Sequence, residues 1–255
     1  MVPDVQVRGV TDRVELEDVS ALFRRVWGAA HPVVPFSLLR ALSHAGGMVL
    51  GAYHDGRLVG AAVGFLGGDP ARPYVHSHIV GVDAGWQGRG VGTGLKLEQR
   101  RWCLDRGIDR ITWTFDPLIR RNAVFNLARL GAAGVDYLPD FYGPMDDRYN
   151  AGMLTDRVLV EWDLTAAPSP AGQRPHRCLL DADERRWPRL DPAHHAPPDG
   201  TDVWVRVPAD VHQERGLARE WRDALRSVME PALAAGYRWT GVTDAGWYVL
   251  TKEPS

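Results

Sequence analysis

The segment Val82-Asp83-Ala84-Gly85-Trp86-Gln87-Gly88-Arg89-Gly90-Val91-Gly92-Thr93-Gly94 joins an extended run, Tyr74 to Val82, to a helical one, Thr93 to Arg106. A glycine-dense strand-to-helix turn frees several backbone N–H groups at the positive end of a helix. Such a turn can seat a phosphate or pyrophosphate. Two familiar phosphate loops fail on spacing. A P-loop needs Lys and then Ser or Thr directly after its last glycine, but Lys96 lies two residues past Gly94 and is followed by Leu97. A dinucleotide fingerprint, G-x-G-x-x-G, would need glycine at Thr93 or at Leu95. A turn that only reverses the chain is the plain alternative.

The spacing that fits is Gln-x-x-Gly-x-Gly, spelled Gln87-Gly88-Arg89-Gly90-Val91-Gly92. It resembles the pyrophosphate loop of the GCN5-related N-acetyltransferase (GNAT) superfamily, whose members bind acyl-coenzyme A. The resemblance implies that backbone N–H groups of Gln87, Gly88, Arg89, Gly90, Val91, Gly92 and Thr93 hold the pyrophosphate. Arg89 can add a charge there, or be a solvated loop residue. Hydrogen bonds to a charged acceptor contribute on the order of 1.5–3 kcal/mol each, so a handful suffices for micromolar binding. On the same resemblance, the strand Ile79-Val80-Gly81-Val82 pairs with the amides of the pantetheine arm. Asn122 and Asn126 lie where the family contacts that arm. The N–H of Val82 or of a neighbour in a bulged strand would polarise the thioester carbonyl, an effect of roughly 3–4 kcal/mol.

Proton handling departs from the family. Many members carry a tyrosine four residues before the glycine that ends the penultimate helix; counting back from Gly131, that position is Leu127. Leucine cannot protonate a thiolate, and Tyr142 is the substitute expected here, against a purely structural tyrosine in a turn. The usual glutamate base falls at about Ser77, between His76 and His78. An imidazole near neutral pKa suits base catalysis, so His78 is the first candidate and Asp116, at the end of a strand, the second. Both histidines as satisfied strand residues, and Asp116 as a turn cap, are the bland readings.

His76-Ser77-His78, Thr112 to Pro117, Asn122-Ala123-x-Phe125-Asn126, Tyr142-Gly143 and Asn150-Ala151-Gly152 with Asp156-Arg157 form a set. The set is similar to a subgroup found beside N-acylamino-acid racemases, some of whose members acylate amino acids with succinyl-CoA. Arg157 could then clamp a carboxylate bidentately, or simply pair with Asp156. The implied activity is transfer of an acetyl or succinyl group from acyl-CoA to a small amine, an amino acid foremost, with no metal. Two alternatives keep the fold: an acyl-CoA-binding or regulatory module, and an enzyme of another thioester reaction such as decarboxylation.

These residues need a scaffold. Val5 to Gly9 reads as a strand, and Val14 to Trp27 and Phe36 to Ala45 as helices. Met48 to Tyr53 and Leu58 to Phe65 flank an Asp55-Gly56 hairpin turn. Tyr74 to Val82, the glycine turn and its helix follow, then Ile108 to Phe115 as a strand, Asn122 to Leu130 as a helix capped by Gly131, and Arg157 to Leu164 as a strand. The order β-α-α-β-β-β-loop-α-β-α-β is that of a mixed α/β GNAT fold, covering residues 1–165. Residues 166–200, rich in Pro, Ala and Asp, read as a linker. Residues 201–255 read as a β-α-β extension, with a kink expected at Pro231. Arg106-Gly107-Ile108 and Ala235-Gly236-Tyr237 hint that this extension is a half-copy of the core; packing on the core, or on a second subunit in a homodimer, is the simpler expectation.

The net charge of -2 over 255 residues gives no electrostatic reason to expect nucleic acid or an anionic membrane as partner. Cys103 and Cys178 show neither paired nor metal-ligand spacing. No leader-like or membrane-spanning apolar run is present, so a cytoplasmic location is expected.

Overall fold

The computed structural model describes residues 4–166, 175–194, 201–211, 213 and 215–252. Residues 167–174 and 195–200 of the expected linker lie outside them, as does Glu214. Chain contacts divide the protein into two compact units, one formed by Met1–Trp113 and Asp146–Tyr149, the other by Thr114–Met145 and Asn150–Ser255.

The first unit contains β1 (Gln6–Gly9), α1 (Arg13–Trp27), α2 (Phe36–His44), β2 (Met48–His54), β3 (Arg57–Asp69), β4 (Arg72–Val82), α3 (Val91–Leu104) and most of β5 (Arg110–Phe115). Asp12 accepts from the N–H groups of Val14 and Glu15 and so starts α1; Gly28, in the left-handed region, ends it. The stripe Leu16, Val19, Leu22, Phe23 and Val26 is buried against Ala61, Val63 and Ile79. Strands β1 to β4 are successively antiparallel. The β2–β3 turn has Asp55 at φ 48 and Gly56 at φ 75, as a two-residue hairpin turn demands. A Cβ at Gly60 would point to Val91 and Leu95 of α3, and one at Gly81 to Trp27 and Phe23 of α1. The two helices therefore cover opposite faces of the sheet.

The second unit contains α4 (Arg120–Ala123), continued by a π-helical stretch (Val124–Arg129), then β6 (Ala133–Leu138), β7 (Arg157–Asp163), β8 (His176–Ala182), β9 (Pro188–Leu190), β10 (Asp202–Arg206), α5 (Ala218–Ala234), β11 (Arg238–Val242) and β12 (Trp247–Thr251). Its strand order is β7-β6-β11-β12-β10-β8-β9. Helix α5 packs Trp221, Leu225, Val228, Met229 and Ala232 inward and runs through Pro231 unbroken.

Three expectations change. Strand β6 was not legible between the helix and β7, because it opens on Ala133-Gly134; a Cβ at Gly134 would stand 3.0 Å from Trp239 and from Val158, so close strand packing fixes glycine there. The stretch 166–200 is not only a linker, since its described part carries β8 and β9, hidden by the surrounding Pro and Asp. Boundaries at 165 and 200 also differ from the observed division, which joins residues 114–145 to the whole C-terminal part.

Candidate active site

The turn between β4 and α3 is held by its own chain. Asp83 N–H donates to Val59 O, Trp86 N–H to Asp83 O, and the Gln87 side chain to Val82 O at 3.2 Å. Gly88 and Gly90 stand at φ 73 and φ 84, a region that side chains with a Cβ rarely adopt. Nothing lies within 4 Å of a Cβ built on Gly88, so backbone conformation, not crowding by the chain, selects glycine there. Gly92 sits within the first turn of α3, which begins two residues earlier than expected. Gly94 supplies the first N–H of α3 bonded to the main chain, to Gly90 O at 2.9 Å. No side chain caps the helix and no acidic residue lies in its first turn. The amides of Val91, Gly92 and Thr93 are thus orphans within the helix, at the positive end of its dipole, a setting that suits an anion. Arg89 is exposed beside them, its guanidinium 5.4 Å from the Trp86 ring centre.

Strand β4 leads to this turn along an open edge. It pairs with β5 in parallel only at Val75↔Ile111 and His76↔Thr112, while its other edge stays paired with β3 as far as Gly60↔Val82. Residues Ser77 to Val82 therefore form one prong of a fork, about 20 Å of strand edge at 3.3 Å per residue. An extended chain carrying amide groups could add to such an edge as a further strand. The register also slips here: Val63 faces Ile79 but Gly64 faces Ser77, which leaves His78 as the extra, bulged residue. The bulge was expected at Val82 or its neighbour and lies four residues earlier.

His78 is exposed at the bulge, 5.9 Å from the Phe65 ring centre; His76, on the same ring at 5.5 Å, contacts Thr112 Oγ1 at 3.2 Å. Desolvation lowers the pKa of both, and the His78 and Lys96 charges lower that of His76 further. Both imidazoles are accordingly neutral at pH 7 and able to accept a proton. Ser77 faces the opposite way and is buried; its hydroxyl donates to Gln99 Oε1 at 2.9 Å and accepts from Lys96 Nζ at 3.0 Å.

The other candidates belong to the second unit. Asp116 receives Arg222 bidentately at 2.8 and 2.7 Å, and its Oδ1 also accepts from Leu118 N–H. Arg157 is buried; it donates to Asp156 O and Asn150 Oδ1, both at 2.9 Å, lies 3.9 Å from Asp116, and has its guanidinium 5.3 Å from the Tyr142 ring centre. The carboxylate of Asp156 turns instead to Arg226 and to the Tyr137 hydroxyl. Tyr142 is 41% exposed and its hydroxyl is 3.2 Å from Thr114 Oγ1. Asn122 is exposed on α4, whereas Asn126 is buried and its carbonyl oxygen accepts from Ala132 N–H at 3.0 Å. Leu127 is buried within the π-helical stretch.

Residues 16–131 match the model of the acetyltransferase (GNAT) family. Solved structures agree in fold. Naa50 of Arabidopsis thaliana, in complex with a bisubstrate analogue of CoA, aligns at 20% identity over 62% of this chain and 97% of its own, with a TM-score of 0.50. An N-acetyltransferase of Staphylococcus aureus aligns at 14% identity over 64% and 99%, TM-score 0.51. A ribosomal-protein N-acetyltransferase of Escherichia coli aligns at 13% over 65% and 97%, TM-score 0.51. The chain carries a GNAT acetyltransferase fold. Among curated proteins none matches.

Within this GNAT fold the sequence reading missed two groups. Lys96 was passed over as a failed P-loop lysine, although Leu95, Lys96, Gln99 and Cys103 share the buried face of α3. Arg222 and Arg226, four apart on α5, were hidden because arginine on an amphipathic helix reads as solvated surface. Among the described residues no cluster of His, Cys, Asp or Glu could hold a metal ion, and no helix is long and apolar enough to cross a membrane.

Proposed function

We propose that the protein is an acyl-CoA-dependent N-acyltransferase that moves an acetyl or succinyl group to the amine of a small molecule, an amino acid being the acceptor. The observation that carries this is the open edge of β4 running straight into an uncapped helix start. One prong can take an amide-bearing arm, and the turn at its end can take the arm's diphosphate. The orphan amides of Val91 to Thr93 and the left-handed Gly88 and Gly90 support coenzyme binding. Residues 1–165 supply the reacting groups in this reading.

His78 is the general base. It is neutral, exposed and set on the bulge, where it takes a proton from the attacking ammonium. The amine nitrogen then bonds to the thioester carbonyl carbon, the C–S bond breaks, and Tyr142, exposed and hydrogen-bonded to Thr114, gives its phenolic proton to the sulfur and regains one from the nitrogen, which sheds its second proton as the amide forms. Asp116 is assigned a holding role, because Arg222 occupies both its oxygens. Arg157 recognises a carboxylate, on the amino acid or on a succinyl group. The test is calorimetry with coenzyme A, followed by release of free thiol from acetyl-CoA and succinyl-CoA with a panel of amines. No heat with the coenzyme refutes the reading; thiol release without any amine transfers it to another thioester reaction.

A further inference from the structure

Lys96 has no part in the acyl transfer just described. It is one of only two lysines, with Lys252, among 30 Lys and Arg residues. Its side chain is buried, its Nζ is 3.0 Å from Ser77 Oγ, and the same atom lies 3.5 Å from the Trp113 ring centre. The last ladder pair between β4 and β5 is His76↔Thr112. Ser77 and Trp113 are the next residue on each strand. One amine therefore touches both prongs at the point where the fork begins to open.

We propose that Lys96 is a positioning residue of the fork: it ties the β4 residue just past the end of the β4–β5 ladder to its counterpart on β5, fixes the direction in which the bulged His78 is held, and sets the charge environment of His76. Three observations support this beyond the contacts themselves. Among the described residues no carboxylate lies within ion-pair distance of Lys96, so its stabilising partners are a hydroxyl and an aromatic face. The network continues through Ser77 to Gln99, whose Nε2 is buried without a partner, so the site tolerates an unmet polar atom to keep its arrangement. In a chain whose basic residues are otherwise arginine but for Lys252, lysine stands where a compact head that can lose its proton fits and a planar, permanently charged fork does not.

The electrostatic setting is short to describe. From β4 the groups near Lys96 are His76 and Ser77; from β5, Trp113; from α3 itself, Cys103, with Gln99 reached through Ser77. Burial brings the amine down to about 7, with the Cys103 thiol acting weakly the other way. Its positive charge in turn lowers the pKa of His76. Ser77 Oγ accepts from Nζ and passes its own hydrogen to Gln99, so the hydrogen bonds survive when the ammonium becomes an amine, and only the charge changes.

The consequence for rate rests on the acyl-transfer reading; the placement of Lys96 does not. The test therefore pairs an NMR titration of the histidine rings in the ligand-free protein with the thiol-release assay. Lys96→Met is expected to raise the His76 midpoint, because the lysine charge is one of the causes that hold it down. In the assay Lys96→Met lowers kcat about tenfold or more with the KM for acetyl-CoA changed less than about threefold, since the diphosphate seat is elsewhere. Ser77→Ala, which keeps the charge and removes the tie, lowers kcat without moving the His76 midpoint. An unmoved midpoint together with an unchanged kcat in Lys96→Met overturns the proposal. If that variant does not fold, an unchanged kcat in Ser77→Ala overturns it instead. If the unmodified protein releases no thiol with any amine, the acyl-transfer reading fails, and the His76 titration still decides the role of Lys96.

Discussion

Stability as a function of pH offers a direct reading of the buried amine. In the unfolded chain Lys96 titrates near 10.5, in the folded one near 7, because burial opposes its charge. Between those values the unfolded chain holds a proton that the folded chain has given up, so stability rises with pH across the window. It is full above 10.5 and is lost progressively as pH falls toward 7. The whole shift of about 3.5 units is worth about 4–5 kcal/mol at 1.36 kcal/mol per unit. Between pH 7 and pH 9 the gain is about 2 kcal/mol, since the folded group is half protonated at the lower limit. Other groups titrate as well, so the quantity to measure is the difference between the unmodified protein and Lys96→Met. Urea unfolding at pH 6, 7, 8 and 9, with equal m-values confirming a common transition, gives that difference. It should be flat below pH 7 and then turn in favour of the unmodified protein by about 2 kcal/mol by pH 9. A flat difference across the range would show that Lys96 titrates as an exposed lysine, and the fork argument would go with it.

Gly90→Val should weaken coenzyme A binding at least about tenfold by calorimetry while leaving the circular dichroism spectrum intact, because φ 84 at the helix start is denied to valine; equal affinity refutes the seat. His78→Ala should cut kcat by about 10²–10⁴, and in the unmodified protein the acidic limb of kcat/KM should fall below pH 6.5, as the lowered pKa requires. A limb above 6.5 would assign it to another group. Arg222→Met leaves the Asp116 carboxylate without its bidentate partner and should cost about 3–5 kcal/mol in denaturant unfolding; a loss below 1 kcal/mol would show the pair to be slack. Calorimetric stoichiometry should be one coenzyme A per chain, and two would contradict the strand topology of the C-terminal part.

Local signals carried the first unit well. The Asp55-Gly56 turn and the 3.6-residue stripe on α1 are short-range features, readable because neighbours in sequence do the work. The glycine spacing was legible for the same reason: φ at Gly88 and Gly90 is a property of single residues. What was not legible depends on partners far along the chain. Strand β6 looks too poor in β-formers until Trp239 and Val158 are seen to need the space at Gly134. The bulge at His78 is a register fact, set by β3 and invisible in β4 alone. Asp116 read as a free carboxylate because Arg222 stands 106 residues away.

The C-terminal part resembles the β4–turn–α3–β5 passage in three ways. Strand β10 leads to a turn and helix α5, then β11. The turn carries Gln213 and Gly216 at the separation of Gln87 and Gly90. Helix α5 ends as α3 does: Gly107 and Gly236 are left-handed, Ile108 N–H reaches Cys103 O, and Tyr237 N–H reaches Ala232 O, all in the same i→i−5 pattern. The last likeness is common chemistry at helix ends and weighs little. The strand order decides the matter. Strands β10 and β11 run the same way, like β4 and β5, but β12 lies between them, antiparallel to both. The gap that β4 and β5 leave open is here filled by the chain's own backbone. Gly216 is also absent from the left-handed glycines and lies in a short 3₁₀ turn, unlike Gly88 and Gly90. With β12 between β10 and β11, the C-terminal part offers no edge there that an amide-bearing arm could join. Its helix contributes Arg222 and Arg226 to the carboxylates of Asp116 and Asp156, a structural use of its polar side chains.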